Sequence, residues 1–157
     1  DFIGNAQPET RALLELTTRE RPDLIIDMHT GADYMLLHRP FLESVLNDAF
    51  NTLFQYVHAE LTQQGLQRTK DIVKESDSYR AQNSVYNLET ALSLNCGALS
   101  VVVESPSHEF SWANQSIVQT PEMLLDAQLT CHQQAMRFLA ETGGRSKWTP
   151  AKQKLGM

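Results

Sequence analysis

The sequence has few basic residues and no long apolar run. Lys and Arg number 13 against 19 Asp and Glu, so the net charge is −6. The chain offers no basic cluster that could neutralise phosphates, which argues against nucleic acid as its main partner. No apolar stretch approaches the roughly 20 residues needed to cross a bilayer, so we expect no membrane span.

Cysteine is also scarce, with only Cys96 and Cys131 present. Two cysteines do not make a disulfide scaffold, and their separation fits no Cys-x-x-Cys ligand pair. We expect both to be ordinary buried thiols. The 157 residues are 41% hydrophobic, which suits one domain with a substantial core.

Apolar residues recur at spacings of three and four along much of the chain, as they do on amphipathic helices. Pro8 at a first helical position and Thr120 as an N-cap mark two helix starts. Helices are therefore predicted over residues 7–21, 41–64 and 85–94, and from Thr120 onward.

Two apolar runs that do not alternate with polar residues predict buried strands at 24–29 and 98–104. A short strand is also predicted around Ile72 and Val73. Alternating strands and helices predict an α/β fold in which part of a mixed, mostly parallel sheet is flanked by helices. Residues 142–157 contain three glycines and four basic residues and are predicted to be a flexible tail.

Both predicted strands end in residues that do not belong in a core. Asp27 and His29 end the first, and Glu104 ends the second. In open α/β sheets, ligands bind at the carboxyl ends of the strands, so these side chains would face one cleft if the strands are parallel neighbours. His29 would then bind a metal and Glu104 would activate its water. A hydrogen-bonded surface histidine and a salt-bridged rim carboxylate are the alternatives.

Three segments resemble the zinc carboxypeptidases related to carboxypeptidase A. They are "QPETRALLELTTRERPDLIIDMHTG", "NCGALSVVVES" and "QSIVQTPEMLLDAQLTCHQQAMRFL". The resemblance implies that His29 is the third zinc ligand and Glu104 the catalytic glutamate. It further implies that residues 1–141 are the C-terminal half of a catalytic domain, an incomplete fold of this family.

The sequence also departs from that family. No His-x-x-Glu motif precedes His29 to supply the first two zinc ligands, and no Asn-Arg pair is present to hold a substrate carboxylate. Since a catalytic zinc needs about three protein ligands, we expect this chain alone to bind zinc weakly and to hydrolyse nothing.

The resemblance implies a peptide substrate that loses its C-terminal residue. "DSYRAQNS" loosely resembles the family loop whose tyrosine closes over the substrate, so Tyr79 is a weaker candidate substrate contact. Arg80 could meet a substrate carboxylate, and His108 could line the cleft. Glu89 and Thr90 fall near the specificity-pocket position of the family.

Two other functions compete with this interpretation. Zinc amidohydrolases that act on small N-acyl amino acids, such as succinylglutamate desuccinylase and aspartoacylase, have a similar strand ending in Asp-Leu-His. The second alternative is a catalytically inactive binding module that has the same fold. Because half a sheet would leave an apolar edge uncovered, we also expect a homodimer or association with the missing N-terminal half.

Overall fold

The structure, a computed structural model, describes residues 6–32, 36–38, 46–66, 87–106 and 120–148. Helices and strands alternate along these segments, as an α/β fold requires. The elements are α1 (Pro8–Glu20), β1 (Leu24–Ala32), β2 (Leu36–His38), α2 (Asn47–Gln63), α3 (Leu88–Cys96), β3 (Leu99–Pro106), α4 (Pro121–Thr142) and α5 (Arg145–Trp148).

The described strands form a mixed sheet in the order β1-β3-β2. β3 lies in the centre, parallel to β1 and antiparallel to β2. The parallel pairing begins at Leu24↔Leu99 and continues in register to Thr30↔Ser105. The sequence-based prediction of an α/β fold with a mixed sheet flanked by helices is therefore confirmed at this level.

One face of the sheet carries the main hydrophobic core. Alternate residues of β3, namely Leu99, Val101 and Val103, are buried against α2 and α4. Leu53 and Phe138 enter the same core from those two helices, and both are almost fully buried. Each such side chain contributes about 1.5–3 kcal/mol when it leaves water, so this layer supplies most of the apolar burial.

The opposite face of the sheet is covered by α3, and α1 packs on α3 from outside. Asn95 of α3 links these two helices by donating to the carbonyl of Leu14 (3.0 Å) and the hydroxyl of Thr18 (2.8 Å). Residues 25, 27 and 29 of β1 and residues 100, 102 and 104 of β3 belong to this face, because side chains alternate along a strand. The candidate functional residues therefore lie beneath α3.

Most predicted elements are confirmed, with shifted ends. The predicted strand at 24–29 extends to Ala32, and the helix predicted over 85–94 spans Leu88–Cys96. Thr120 is an N-cap as predicted, since its side chain accepts from the backbone of Met123. The segments predicted as helix at 41–45 and as strand around Ile72 and Val73 lie outside the described residues.

The sequence predicts that β1 is buried on both faces, but part of this strand is exposed in the structure. Met28, His29 and Thr30 are exposed, whereas their partners in β3 are buried or half-buried. The reason is position: among the described strands β1 is at the edge of the sheet and β3 is at its centre. An apolar composition alone does not distinguish a central strand from an edge strand.

Part of the segment predicted to be a flexible tail, residues 142–157, is helical. Thr142 still belongs to α4, and Arg145–Trp148 form α5. The backbone N–H of Arg145 donates to Asp23 Oδ1 (2.8 Å), and Trp148 packs on Phe138 with ring centroids 4.9 Å apart. Gly144 has φ +74, and a Cβ there would lie 2.9 Å from the Asp23 side chain, so a glycine is required for this turn. Residues 149–157 lie outside the described part.

Two further sequence-based expectations concern cysteines and membranes. Cys131 is buried, and burial raises the pKa of its thiol to about 12, so it is an inert core residue. Cys96 is half-buried, and its thiol contacts the carbonyl of Leu92. Among the described helices, none has the length and apolar character that crossing a bilayer demands.

Replacing Phe138 by alanine should destabilise the protein by about 3–5 kcal/mol. The side chain is fully buried and contacts both Tyr56 and Trp148, so the change leaves a cavity between α2, α4 and α5. Urea unfolding followed by circular dichroism measures the difference. Leu16→Ala, at a side chain that is 43% exposed, is the control and should cost far less. Equal losses in the two variants would contradict this account of the core.

Candidate functional site

The pairing of β1 with β3 brings two predicted site residues together. His29 and Glu104 are direct partners in the parallel register. Neighbouring strands lie about 5 Å apart, and paired residues project from the same face, so the imidazole and the carboxylate share one site at the carboxyl ends of both strands. This is the end of an α/β sheet at which ligands bind.

Asp27 lies two residues before His29 and therefore on the same face of β1. Its Oδ2 atom is 3.0 Å from Nε2 of His29. The imidazole is thus held through Nε2, and a metal or another ligand would be bound through Nδ1. Carboxylate–histidine pairs of this kind orient metal-binding histidines in many proteins. The sequence places Asp27 at the end of the same predicted strand as His29, and the structure shows the contact between them.

Glu89 reaches this pair from the first turn of α3. The helix begins at the N-cap Asn87, whose side chain accepts from the backbone N–H of Thr90 (2.9 Å). That cap places the Glu89 side chain on the inner face of α3, where it is only 3% exposed and hydrogen-bonded to Asp27. Two carboxyl groups can form a hydrogen bond only when they share a proton, so one of them is protonated.

The pKa values show which carboxyl group holds that proton. Burial, together with the hydrogen bond to Asp27, raises the pKa of Glu89 to about 7. The hydrogen bond from Glu89, with that from His29, lowers the pKa of Asp27 below its ordinary value. Asp27 is therefore the ionised partner, and its hydrogen bond and charge raise the pKa of His29. The charge of Glu104 adds to this rise, as expected from its paired position.

The donor atoms of Asp27, His29 and Glu89 lie within 4.8 Å of one another. One imidazole nitrogen with carboxylate oxygens is a donor set that could hold a divalent cation. Asp27 is bonded to both His29 and Glu89, so its carboxylate is already engaged within the cluster.

The structure describes some of the site residues predicted from the sequence, and others lie outside the described residues. It brings His29 and Glu104 together and adds Asp27 beside them. The weaker substrate-contact candidates, Tyr79, Arg80 and His108, lie outside the described residues.

Sequence reasoning placed Glu89 only near a specificity pocket and did not connect it with His29. One signal was available. Glu89 is an acidic residue three positions before Leu92 and four before Ser93, so it lies on the buried face of its helix. A carboxyl group on an inner helical face needs a partner, and the strand beneath α3 supplies it.

Comparisons with protein-family models, with curated proteins and with solved structures found no match to this chain. The functional interpretation therefore depends on the geometry of the site and on the sequence motifs.

The stability of the protein should fall as the pH rises from 5 to 7. Glu89 has a folded-state pKa of about 7 against an ordinary value of 4.5, so the folded state binds more protons in this interval. Its contribution is complete below pH 4.5 and is lost as the pH rises through 7, with a slope of up to about 1.4 kcal/mol per pH unit. The raised pKa of His29 acts in the same direction at slightly higher pH. The lowered pKa of Asp27 affects the stability only below the ordinary pKa of that group, where the stability falls as the pH falls.

Urea unfolding at several pH values, with a chelator present, measures this slope. Glu89→Gln keeps the shape and should flatten the curve between pH 5 and 7. The control is Glu122→Gln, at an exposed carboxylate whose pKa is lowered by its own backbone N–H and by Thr120, and it should keep the wild-type slope. A wild-type stability that is constant or rises over this interval would show that Glu89 is ionised throughout.

Proposed function

We propose that this chain contributes to a zinc-dependent hydrolase that removes the C-terminal residue of a peptide, similar to the carboxypeptidase A family. The observation that supports the proposal best is the parallel register that pairs His29 with Glu104 at the carboxyl ends of β1 and β3. A metal-binding histidine and a general base must act on the same water, and this pairing puts both groups at one site.

In this proposal His29 would hold the zinc ion, and Asp27 would fix the orientation of its ring through Nε2. The ion would supply Lewis-acid chemistry, which lowers the pKa of a bound water and polarises a carbonyl. Glu104 would take the proton from the attacking water and deliver it to the leaving amine. Glu104 is half-buried on the central strand, so the sheet fixes its backbone while its carboxylate faces the site.

The remaining zinc ligands are proposed to come from a His-x-x-Glu motif, which is absent from the 157 residues. An arginine that stabilises the oxyanion would likewise be contributed from elsewhere. The edge position of β1 among the described strands supports this part of the proposal, because it leaves a place where further strands can add. The exposed apolar side chain of Met28 lies on that strand.

The chief alternative substrate is a small N-acyl amino acid, because the Asp-x-His strand end is shared with the zinc amidohydrolases. Both classes of substrate contain an amide and a carboxylate, so the site chemistry described here serves either. Parallel assays with a blocked dipeptide and with N-succinylglutamate or N-acetylaspartate separate them. A protein that binds zinc and hydrolyses neither class is a binding module.

In a protein that joins this chain to the His-x-x-Glu ligands, Glu104→Gln should lower kcat by about 10²–10⁴-fold. Zinc content, measured by atomic emission, should stay at one ion, because the proposed role of Glu104 is proton transfer. The matched control is Glu122→Gln on α4, which should keep full activity. Retained turnover in Glu104→Gln would refute the proposed base, and loss of zinc would show that Glu104 is a ligand.

The 157-residue chain alone should bind zinc weakly and show no peptidase activity, because it offers fewer than the three ligands of a catalytic site. Isothermal titration with zinc measures the affinity, and His29→Ala should remove the remaining binding. Leu94→Ala on α3 is a control that leaves the cluster intact. Tight stoichiometric binding, or clear hydrolysis of a blocked dipeptide, would overturn this expectation.

A further inference from the structure

The outer surface of α4 carries an apolar stripe that the core does not use. Leu125, Leu129 and Met136 are 56%, 49% and 62% exposed, respectively. The buried residues of the same helix, such as Ala127, Cys131 and Phe138, lie on the opposite side. We call Leu125, Leu129 and Met136, with the exposed His132 between them, the α4 stripe.

The members of the α4 stripe follow one another at spacings of four, three and four residues. The three intervals add to eleven residues, about three helical turns, so the four side chains lie along one side of α4 and can face a partner helix. A single exposed leucine on a helix is ordinary, but three large apolar side chains on one line form a surface that fits another helix.

The stripe is symmetric about its centre, which makes it complementary to itself in the antiparallel direction. When two copies of α4 run antiparallel about the midpoint between Leu129 and His132, Leu125 faces Met136 of the second copy. Leu129 then faces His132 of the second copy. A two-fold axis repeats both contacts, as an isologous interface requires.

The charges beside the stripe favour the same arrangement. Asp126 and Arg137 are eleven residues apart, which is three helical turns, so both lie along the same edge of the stripe. In the antiparallel pair, Asp126 of each copy approaches Arg137 of the other. In a parallel pair this edge of one helix would instead lie on the opposite side of the contact from the same edge of the other, so Asp126 and Arg137 would form no ion pair between the copies.

Arg137 is available for this contact even though it already has a partner. Its Nε atom donates to Glu141 at 2.7 Å, and its guanidinium lies 5.4 Å from the centre of the Tyr56 ring. These contacts place the guanidinium on the side of α4 that is next to α2. The guanidinium has two further nitrogen atoms that can donate to a second carboxylate.

We propose that the protein forms a two-fold homodimer through its α4 stripe, with the two α4 helices antiparallel and with Asp126–Arg137 ion pairs at both ends. The partner is therefore a second copy of this chain. The contact is small, with one helix from each copy, so the dimer belongs to the weak, concentration-dependent class. It leaves the proposed site free, because α4 packs on the sheet face opposite to α3.

Sedimentation equilibrium of the 157-residue chain over a range of concentrations tests the proposal. The wild-type protein should show a reversible monomer–dimer equilibrium, and Leu129→Lys should weaken it by at least about tenfold. Leu94→Lys is the matched control, because Leu94 is 48% exposed on α3 and Leu129 is 49% exposed on α4. That control should associate like the wild type. Circular dichroism verifies that each variant is folded.

A charge exchange tests the direction of the helices. Asp126→Lys alone and Arg137→Glu alone should each weaken the dimer, because each places like charges at both ends. The double variant Asp126→Lys/Arg137→Glu should recover most of the wild-type affinity. Recovery is a result that a purely structural effect of either substitution would not produce.

Three results would overturn the proposal. The first is a wild-type chain that stays monomeric at millimolar concentration. The second is equal weakening by Leu94→Lys and Leu129→Lys, which would place the contact on the α1–α3 side or make it nonspecific. The third is a double charge variant no stronger than the single variants, which would exclude the antiparallel register.

Discussion

The parallel pairing of β1 with β3 is the constraint on which the rest of the molecule depends. It sets the register that makes His29 and Glu104 neighbours, and it decides which side chains face each layer of helices. A shift by one residue would turn the core residues of β3 toward α3 and the polar residues toward α2 and α4. The buried layer beneath α2 and α4 is large enough to hold this register, and the polar site follows from it.

The polar cluster under α3 is stable only because its members satisfy one another. A buried carboxyl group such as Glu89 costs free energy when it is ionised and alone. Here burial and the hydrogen bond with Asp27 raise the pKa of Glu89 to about 7, which favours its neutral form below that pH, while the same hydrogen bond favours the charged form of Asp27 beside His29. One buried residue thereby supports the orientation of an exposed imidazole. Preorganisation of this kind is what a metal ligand or an acid–base group requires.

The two faces of the sheet carry different kinds of side chains. The side toward α2 and α4 is a dry core that closes with Phe138 and Trp148, and the outer surface of α4 presents an apolar stripe to solvent. The side toward α3 holds the titratable groups. This separation allows self-association through α4 without contact with His29 or Glu104, so assembly and chemistry can vary independently.

The amino-acid sequence by itself determined the elements and the polar residues at the two strand ends. Apolar periodicity, the Thr120 cap and the runs ending at His29 and Glu104 are local features, and local features can be recognised without coordinates. Only the tertiary structure decided that β1 lies at the edge of the described sheet, that residues 145–148 fold back onto Phe138, and that Glu89 bonds Asp27. The reason is physical: the strand pairing, the bond of Glu89 to Asp27 and the bond of Arg145 to Asp23 join residues 62 to 122 positions apart, and no local pattern specifies which distant groups meet.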